Sequence, residues 1–254
     1  MSDLLEVSGI TVRFGGVRAL EGVDMRVAEG SVHGLIGPNG AGKTTLLNCI
    51  GRVIEPAEGG LAFAGQDLRA RPAHDLAGLG IARTFQNLAL MDEATVLDNV
   101  LVGLRRPGGF TLHDFLPTPR RFALEAQDRA TALAALAQVD LQQYAHDRIG
   151  KLPYGYRKSI EIARALCTRP RLLMLDEPTA GLNPTEMEQL GVAVRRMRDS
   201  LGLTVLLITH HIEFLLEVAD RVTVLDLGCV IADGTPDLLH TDQRVRAAYL
   251  GADE

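Results

Sequence analysis

The residue pattern points to an α/β chain. A mainly parallel sheet carries a small antiparallel β-subdomain at its start and an inserted α-helical subdomain. Three features carry this reading. Ser31–Ile50 runs strand, glycine loop, helix (SVHGLI, GPNGAG, KTTLLNCI), the βα unit from which parallel sheets are built. RLLMLDEP, TVLLITH and RVTVLD are short continuous apolar runs of the kind that form strands buried on both faces. Residues 87–165 lack such runs and read as mostly helical.

Taken in order, Leu5–Phe14 and Val23–Val27 alternate and are broken by Gly15–Gly16 and Glu29–Gly30, as short antiparallel strands would be. The inserted section holds Leu133, Leu136 and Val139 at helical spacing on Phe122–Val139, beside an irregular stretch, PGGFTLHDFLPTP. Asn183 is a good N-cap, with Pro184 at the first helical position and Glu186 in the first turn. Met187, Leu190, Val194 and Met197 form one apolar stripe on the helix that follows. A helix over His211–Ala219 separates the last two buried strands, and a helical piece around Val245–Leu250 ends the chain. The division expected is a single domain over 1–254. Its core occupies about 1–86 and 166–240, its helical subdomain about 87–165, and its tail 241–254.

At 254 residues, 46% apolar and 23% charged, the chain has an ordinary globular composition. A net charge of −6 argues against nucleic acid as a partner, because phosphate backbones select clustered cations. Cys49, Cys167 and Cys229 are scattered and odd in number, and read as reduced core thiols. No secretory leader is expected from MSDLLEVSGI, and no apolar run is long enough to span a bilayer.

The chemistry concentrates in GPNGAGKT, which satisfies the phosphate-binding pattern G-x-x-x-x-G-K-[ST] in full. The loop of Gly37, Pro38, Asn39, Gly40, Ala41 and Gly42 would wrap an ATP tail with the backbone N–H groups of its residues other than Pro38, and the helix behind them adds its positive end. Lys43 would reach the β- and γ-phosphates, and Thr44, followed by Thr45, would bring a hydroxyl to Mg²⁺. Downstream, the buried strand of LLMLDEP delivers Asp176 to its carboxyl end, where ligands of open α/β sheets bind. Asp176 would hold the metal, and Glu177 would polarise the attacking water.

The remaining motifs resemble those of the ATP-binding subunits of ABC transporters. Gln86 in ARTFQN is similar to the family's glutamine loop. LPYGYRKSIEIARAL is similar to its signature motif and helix, AGLNP with Asn183 to its D-loop, and ITHH to its switch histidine, here His210. Phe14 in VRFGG matches the aromatic that stacks on adenine, with Val17 close by. RTFQN, IEIARAL, MLDEPTAGLNP and RAAYLG look most like the ATPases of branched-chain amino-acid uptake systems.

The resemblance implies a RecA-like P-loop NTPase core that uses ATP and Mg²⁺. Gln86 would join Thr44 and Asp176 at the metal, and His210 would contact the γ-phosphate. Pro153, Tyr154, Gly155 and Tyr156 would reach a partner's nucleotide, so a second ATPase subunit, identical or not, is implied. Transmembrane permeases and an extracytoplasmic solute-binding protein are implied as well, with the chain held on the inner membrane face through the permeases. The sequence departs from the pattern where Pro153 replaces the usual signature serine and Tyr156 the glutamine. Asn183 stands for the D-loop aspartate, and His211 follows His210. An exporter of lipid or lipopolysaccharide and a nucleic-acid-directed ATPase remain alternatives on residues alone.

Overall fold

The computed structural model describes residues 2–84, 89–104 and 118–250, with the side chain of residue 250 excepted. In chain order, β1 (Asp3–Phe14) and β2 (Val17–Ala28) form a hairpin, and β3 (Val32–Ile36) leads through the glycine loop into α1 (Lys43–Ile50). Next come β4 (Glu58–Phe63), β5 (Gln66–Asp67), α2 (Leu76–Leu79) and β6 (Ile81–Arg83). The helices α3 (Val96–Leu101), α4 (Pro119–Gln138) and α5 (Tyr154–Leu166) follow. The chain then returns to the sheet with β7 (Leu172–Asp176), α6 (Pro184–Leu201), β8 (Thr204–Ile208), α7 (Ile212–Val218), β9 (Arg221–Asp226) and β10 (Cys229–Gly234). It closes with α8 (Leu238–Thr241) and α9 (Gln243–Leu250).

Among the described residues one sheet has the order β2-β1-β4-β5 and is antiparallel, and the other has the order β10-β9-β3-β8-β7-β6. In the second sheet β9, β3, β8, β7 and β6 run parallel, and β10 pairs antiparallel at the edge. The expected mainly parallel core and antiparallel first sheet are both present.

Side chains on a strand alternate between its faces, and here the alternation divides the core in two. Leu173 and Leu175, Val205 and Leu207, and Val32 and Ile36 face one cluster with the apolar sides of α3–α7. Leu172 and Met174, Leu206 and Ile208, and Leu35 face the other, with α1 and the antiparallel sheet. Each such leucine or isoleucine contributes about 1.5–3 kcal/mol by burial. β7 and β8 are therefore sandwiched, which is why Leu172–Leu175 and Val205–Ile208 run apolar without a polar alternate.

Three expectations need correction. The first two strands are long, not short: β2 is an edge strand, so Arg18 and Glu21 continue it while facing solvent. The irregular stretch ending at Pro119 stops one residue too late. The Thr118 side chain accepts from the Arg121 N–H and Pro119 occupies the first turn, so α4 starts there. Cys49 and Cys167 are buried, their thiols pushed up to about 11 by desolvation, but Cys229 is half-buried on β10. The α6 start is as expected. Asn183 and Glu186 form a reciprocal capping box, and Leu190, Val194 and Met197 are buried.

A polar chain runs from buried His33 across β3, β9 and β10 to Asp233 at the sheet edge. His33 on β3 is fully buried, its Nε2 lies 2.8 Å from the Thr223 hydroxyl, and that hydroxyl donates to Asp233 at 2.5 Å. Burial pulls the imidazole down to about 4, with Asp233 opposing and Arg221 assisting. An unfolded histidine titrates near 6.5, so between about pH 6.5 and about pH 4 only the unfolded chain takes up this proton. The stabilisation is complete above that window and is lost as pH falls through it. Urea unfolding should show about 2 kcal/mol less stability from this group at about pH 5 than at about pH 7. In His33→Gln that part of the pH dependence should vanish.

Candidate functional site: a phosphate cradle at the strand ends

The parallel register brings three strand ends to one level. Leu35 pairs with Ile208, and Ile208 with Asp176, so the loops after β3, β7 and β8 open side by side. The glycine loop follows β3 into α1 with its glycines fixed by space. A Cβ on Gly37 would sit 2.0 Å from the Leu225 carbonyl oxygen. Gly42 has φ 101°, and a Cβ there would come within 2.6 Å of Leu20 and 2.7 Å of the Ala19 carbonyl. The loop thus leaves its amides uncovered at the start of α1, where the helix end is positive.

Lys43 is buried, and its ammonium donates to the carbonyls of Gly37 (2.7 Å) and Pro38 (2.9 Å). Burial draws its pKa down, while Glu177 and then Asp176 push it back up. The cation therefore sits in the mouth of the loop with both carboxylates in its field. Thr44 is exposed and Thr45 half-buried. Asn39 and Gly40 are exposed, Pro38 is half-buried, and Ala41 is buried against the second core cluster. Phe14 and Val17 pair across the β1–β2 turn and are 52% and 67% exposed. Two residues further on, Ala19 lies against Gly42, so the hairpin edge with its exposed apolar pair adjoins the cradle.

Asp176 ends β7 and is 4% exposed. Its Oδ2 accepts from Arg83 at 2.9 Å, and its buried Oδ1 has no hydrogen-bond partner among the described residues. An unsatisfied buried carboxylate oxygen is costly, and a cation beside it would satisfy it. The residues present thus fit a hard, oxygen-seeking divalent ion.

Glu177 adopts φ 51°, a left-handed conformation that a side chain disfavours. Its N–H donates to the Ile208 carbonyl at 2.9 Å, which pins it to the end of β8. There the half-exposed His210 places Nδ1 3.0 Å from Glu177 Oε2. A carboxylate only accepts, so Nδ1 carries the proton. His211 takes the position just before α7, half-buried, its pKa lowered by burial and by His210 against the pull of Glu177.

Pro153 takes the N-cap position of α5, ahead of exposed Tyr154 and buried Gly155. Tyr156 is half-buried and packs against Tyr144 in a tilted pair with ring centroids 5.3 Å apart. Glu186, from the capping box that begins at Asn183, lies so close to Gly155 that a Cβ there would meet it at 2.5 Å. Lys43, Asp176, Glu177 and His210 are therefore brought together, with the signature residues and Asn183 grouped at the α5–α6 starts. Gln86 lies outside the described residues, as does most of the proline- and glycine-rich stretch at 107–119.

Two participants escaped sequence reasoning. Arg83 on β6 joins Asp176 to Asn48 of α1, donating to the latter at 2.7 Å. Lys158 on α5 donates to the Glu177 carbonyl at 2.9 Å. The rarity of lysine in this chain, three of 26 cationic residues, marks Lys158 only as much as it marks Lys43 and Lys151.

A phosphate cradle, a buried acidic strand end and a histidine-held carboxylate define a P-loop nucleotide-binding ATPase. The family model described as ABC transporter matches residues 20–180, and the chain belongs to that family. It is 41% identical to the high-affinity branched-chain amino acid transport ATP-binding protein BraF of Pseudomonas aeruginosa, over 98% of each chain. It is 38% identical to LivG of Escherichia coli K12, again over 98% of each. Among solved structures, the ADP conformation of the ATP-binding cassette MJ1267 superposes with a TM-score of 0.86 at 31% identity, covering 99% of this chain and 100% of that one. The dimeric post-hydrolysis cassette MJ0796, bound to ADP and Pi, gives 0.73 at 25% identity, covering 91% and 98%.

Gly37 tests the cradle. Gly37→Ala should destabilise the fold by about 1–3 kcal/mol in urea unfolding, since backbone stands where the methyl must go. It should also weaken binding of a fluorescent ATP analogue about tenfold or more. Unchanged affinity would show that the loop does not depend on that close approach.

Proposed function

We propose that this chain is the ATP-hydrolysing subunit of an importer for branched-chain or related hydrophobic amino acids. The observation that carries the proposal is similarity over 98% of both chains to BraF, a branched-chain amino acid transport ATP-binding protein. The cluster of Lys43, Asp176, Glu177 and His210 supplies the chemistry. In this reading the backbone N–H groups of Asn39 to Gly42 and the Lys43 ammonium bind the phosphate tail. Phe14 and Val17 give the adenine ring an apolar face at the hairpin.

Thr44 and Asp176, with Gln86, would hold Mg²⁺. When bound, the ion neutralises charge on the phosphates. Glu177 takes the proton of the attacking water. His210 orients Glu177 through Nδ1 and leaves Nε2 to face the terminal phosphate.

Residues 153–156 and Asn183 stand at the starts of α5 and α6, where a second cassette would lay its nucleotide. Two cassettes, of one kind or two, then enclose two nucleotides, and loss of the terminal phosphate reopens them. Among the described residues no helix is long and apolar enough to cross a membrane. Association with the inner membrane face would therefore run through permease partners, supplied with solute by a binding protein outside.

Glu177→Gln should reduce ATP turnover by about a hundredfold or more. ATP-driven dimerisation, read by size-exclusion chromatography, should persist or strengthen. Vesicles carrying the chain with its permeases and binding protein should take up leucine, isoleucine or valine only when ATP is supplied. Undiminished turnover would remove Glu177 from the reaction, and ATP use indifferent to those solutes would reject the amino-acid assignment.

A further inference from the structure

The signature helix touches the loop after β7 of its own subunit, and one charged side chain of the helix hydrogen-bonds that loop's backbone. Lys158 lies on α5 and is 8% exposed. Its ammonium donates to the Glu177 backbone carbonyl at 2.9 Å, across 19 residues of sequence, and stands over the Tyr154 ring at 5.6 Å from the centroid. Tyr154 is one helical turn back on the same face. Its ring in turn backs onto Gly181 in the loop before α6, where a Cβ would meet it at 3.0 Å. One contiguous cluster therefore joins the signature tyrosine, the buried cation, the loop before α6 and Glu177.

The anchored residue is the strained one. Glu177 holds φ 51°, and its N–H and carbonyl are both engaged. The N–H goes to Ile208, and the carbonyl accepts from Lys158 and from the Ala180 N–H at 3.2 Å. A left-handed side-chain-bearing residue persists only where its surroundings over-determine it. The direction in which the Glu177 carboxylate leaves the backbone is fixed by that same peptide. Removing Lys158 takes away the charged member of this set, and the charged hydrogen bonds are the strong ones.

We propose that Lys158 is a positioning residue for the Glu177 carboxylate, and that through its seat on Tyr154 it transmits the engagement of the signature motif to the hydrolytic site of the same subunit. This rests on the ATPase reading above. A nucleotide laid on residues 153–156 by a second cassette would press on Tyr154. Its ring then bears on the ammonium, and the ammonium on the Glu177 peptide. The two enclosed sites would thereby be linked inside each chain as well as across the dimer.

The test uses the full-length protein as Lys158→Met, Lys158→Gln and Lys158→Arg beside wild type. For each, kcat and KM for ATP, affinity for a fluorescent ATP analogue with Mg²⁺, and the thermal midpoint are measured. Expected for Met and Gln is a fall in kcat of about ten- to a hundredfold, with KM and analogue affinity within about twofold of wild type. Lys158→Arg, which keeps a charged donor, should recover most of the rate. A wild-type kcat in Lys158→Met would overturn the proposal. So would a loss that follows the thermal midpoint across the three variants, because a merely structural lysine behaves that way. Failure of wild type itself to bind the analogue would strike the ATPase reading instead.

Discussion

Everything chemical in this molecule depends on the registered ends of three parallel strands. β3, β8 and β7 finish level, and three loops leave from that edge carrying the phosphate amides, Thr209–His210 and Asp176–Glu177. Hydrogen bonds between strands fix that register, and the two core clusters lock it from both faces. A slip of one residue would turn every apolar side chain of a strand to the wrong cluster. The apolar burial that makes the sheet stable therefore also sets the distances in the site. No separate device is needed to bring Lys43 and Glu177 into one electrostatic field.

Much of this was legible in the sequence. GPNGAGKT specifies its own backbone, because only glycine fits beside Leu225 and only glycine takes φ 101° at position 42 without strain. The runs at 172–176, 204–208 and 221–226 declare buried strands because both faces are covered. Asn183, Pro184 and Glu186 declare a helix start because each satisfies a terminal need that is local in the chain. Where the physics is local, residue types at short spacing suffice.

The remainder was hidden because it is not local. Arg83 and Asp176 lie 93 positions apart, and Lys158 and Glu177 lie 19 apart on different elements. An arginine at the end of a short strand, or a lysine in the second turn of a helix, has nothing unusual about it until the fold supplies its acceptor. The length of β2 was missed for a related reason. Strand membership at a sheet edge is decided by one neighbour's hydrogen bonds, and polar side chains there say nothing against it. The start of α4 at Pro119 was recoverable, since a capping threonine followed by proline is a local signal. It was masked by the proline- and glycine-rich company it keeps.

The backbone of Glu177 carries a wider implication. A glycine at that position would adopt the left-handed conformation without penalty, and the loop would relax. It would also carry no carboxylate. The most comfortable residue for the turn thus could not perform the proton transfer proposed for Glu177, and the residue that could is uncomfortable. Sequences drifting toward greater stability at this corner must drift toward silence. On the proposed role of Glu177, the chain keeps a small permanent disadvantage in folding as the condition for having a carboxylate at that corner.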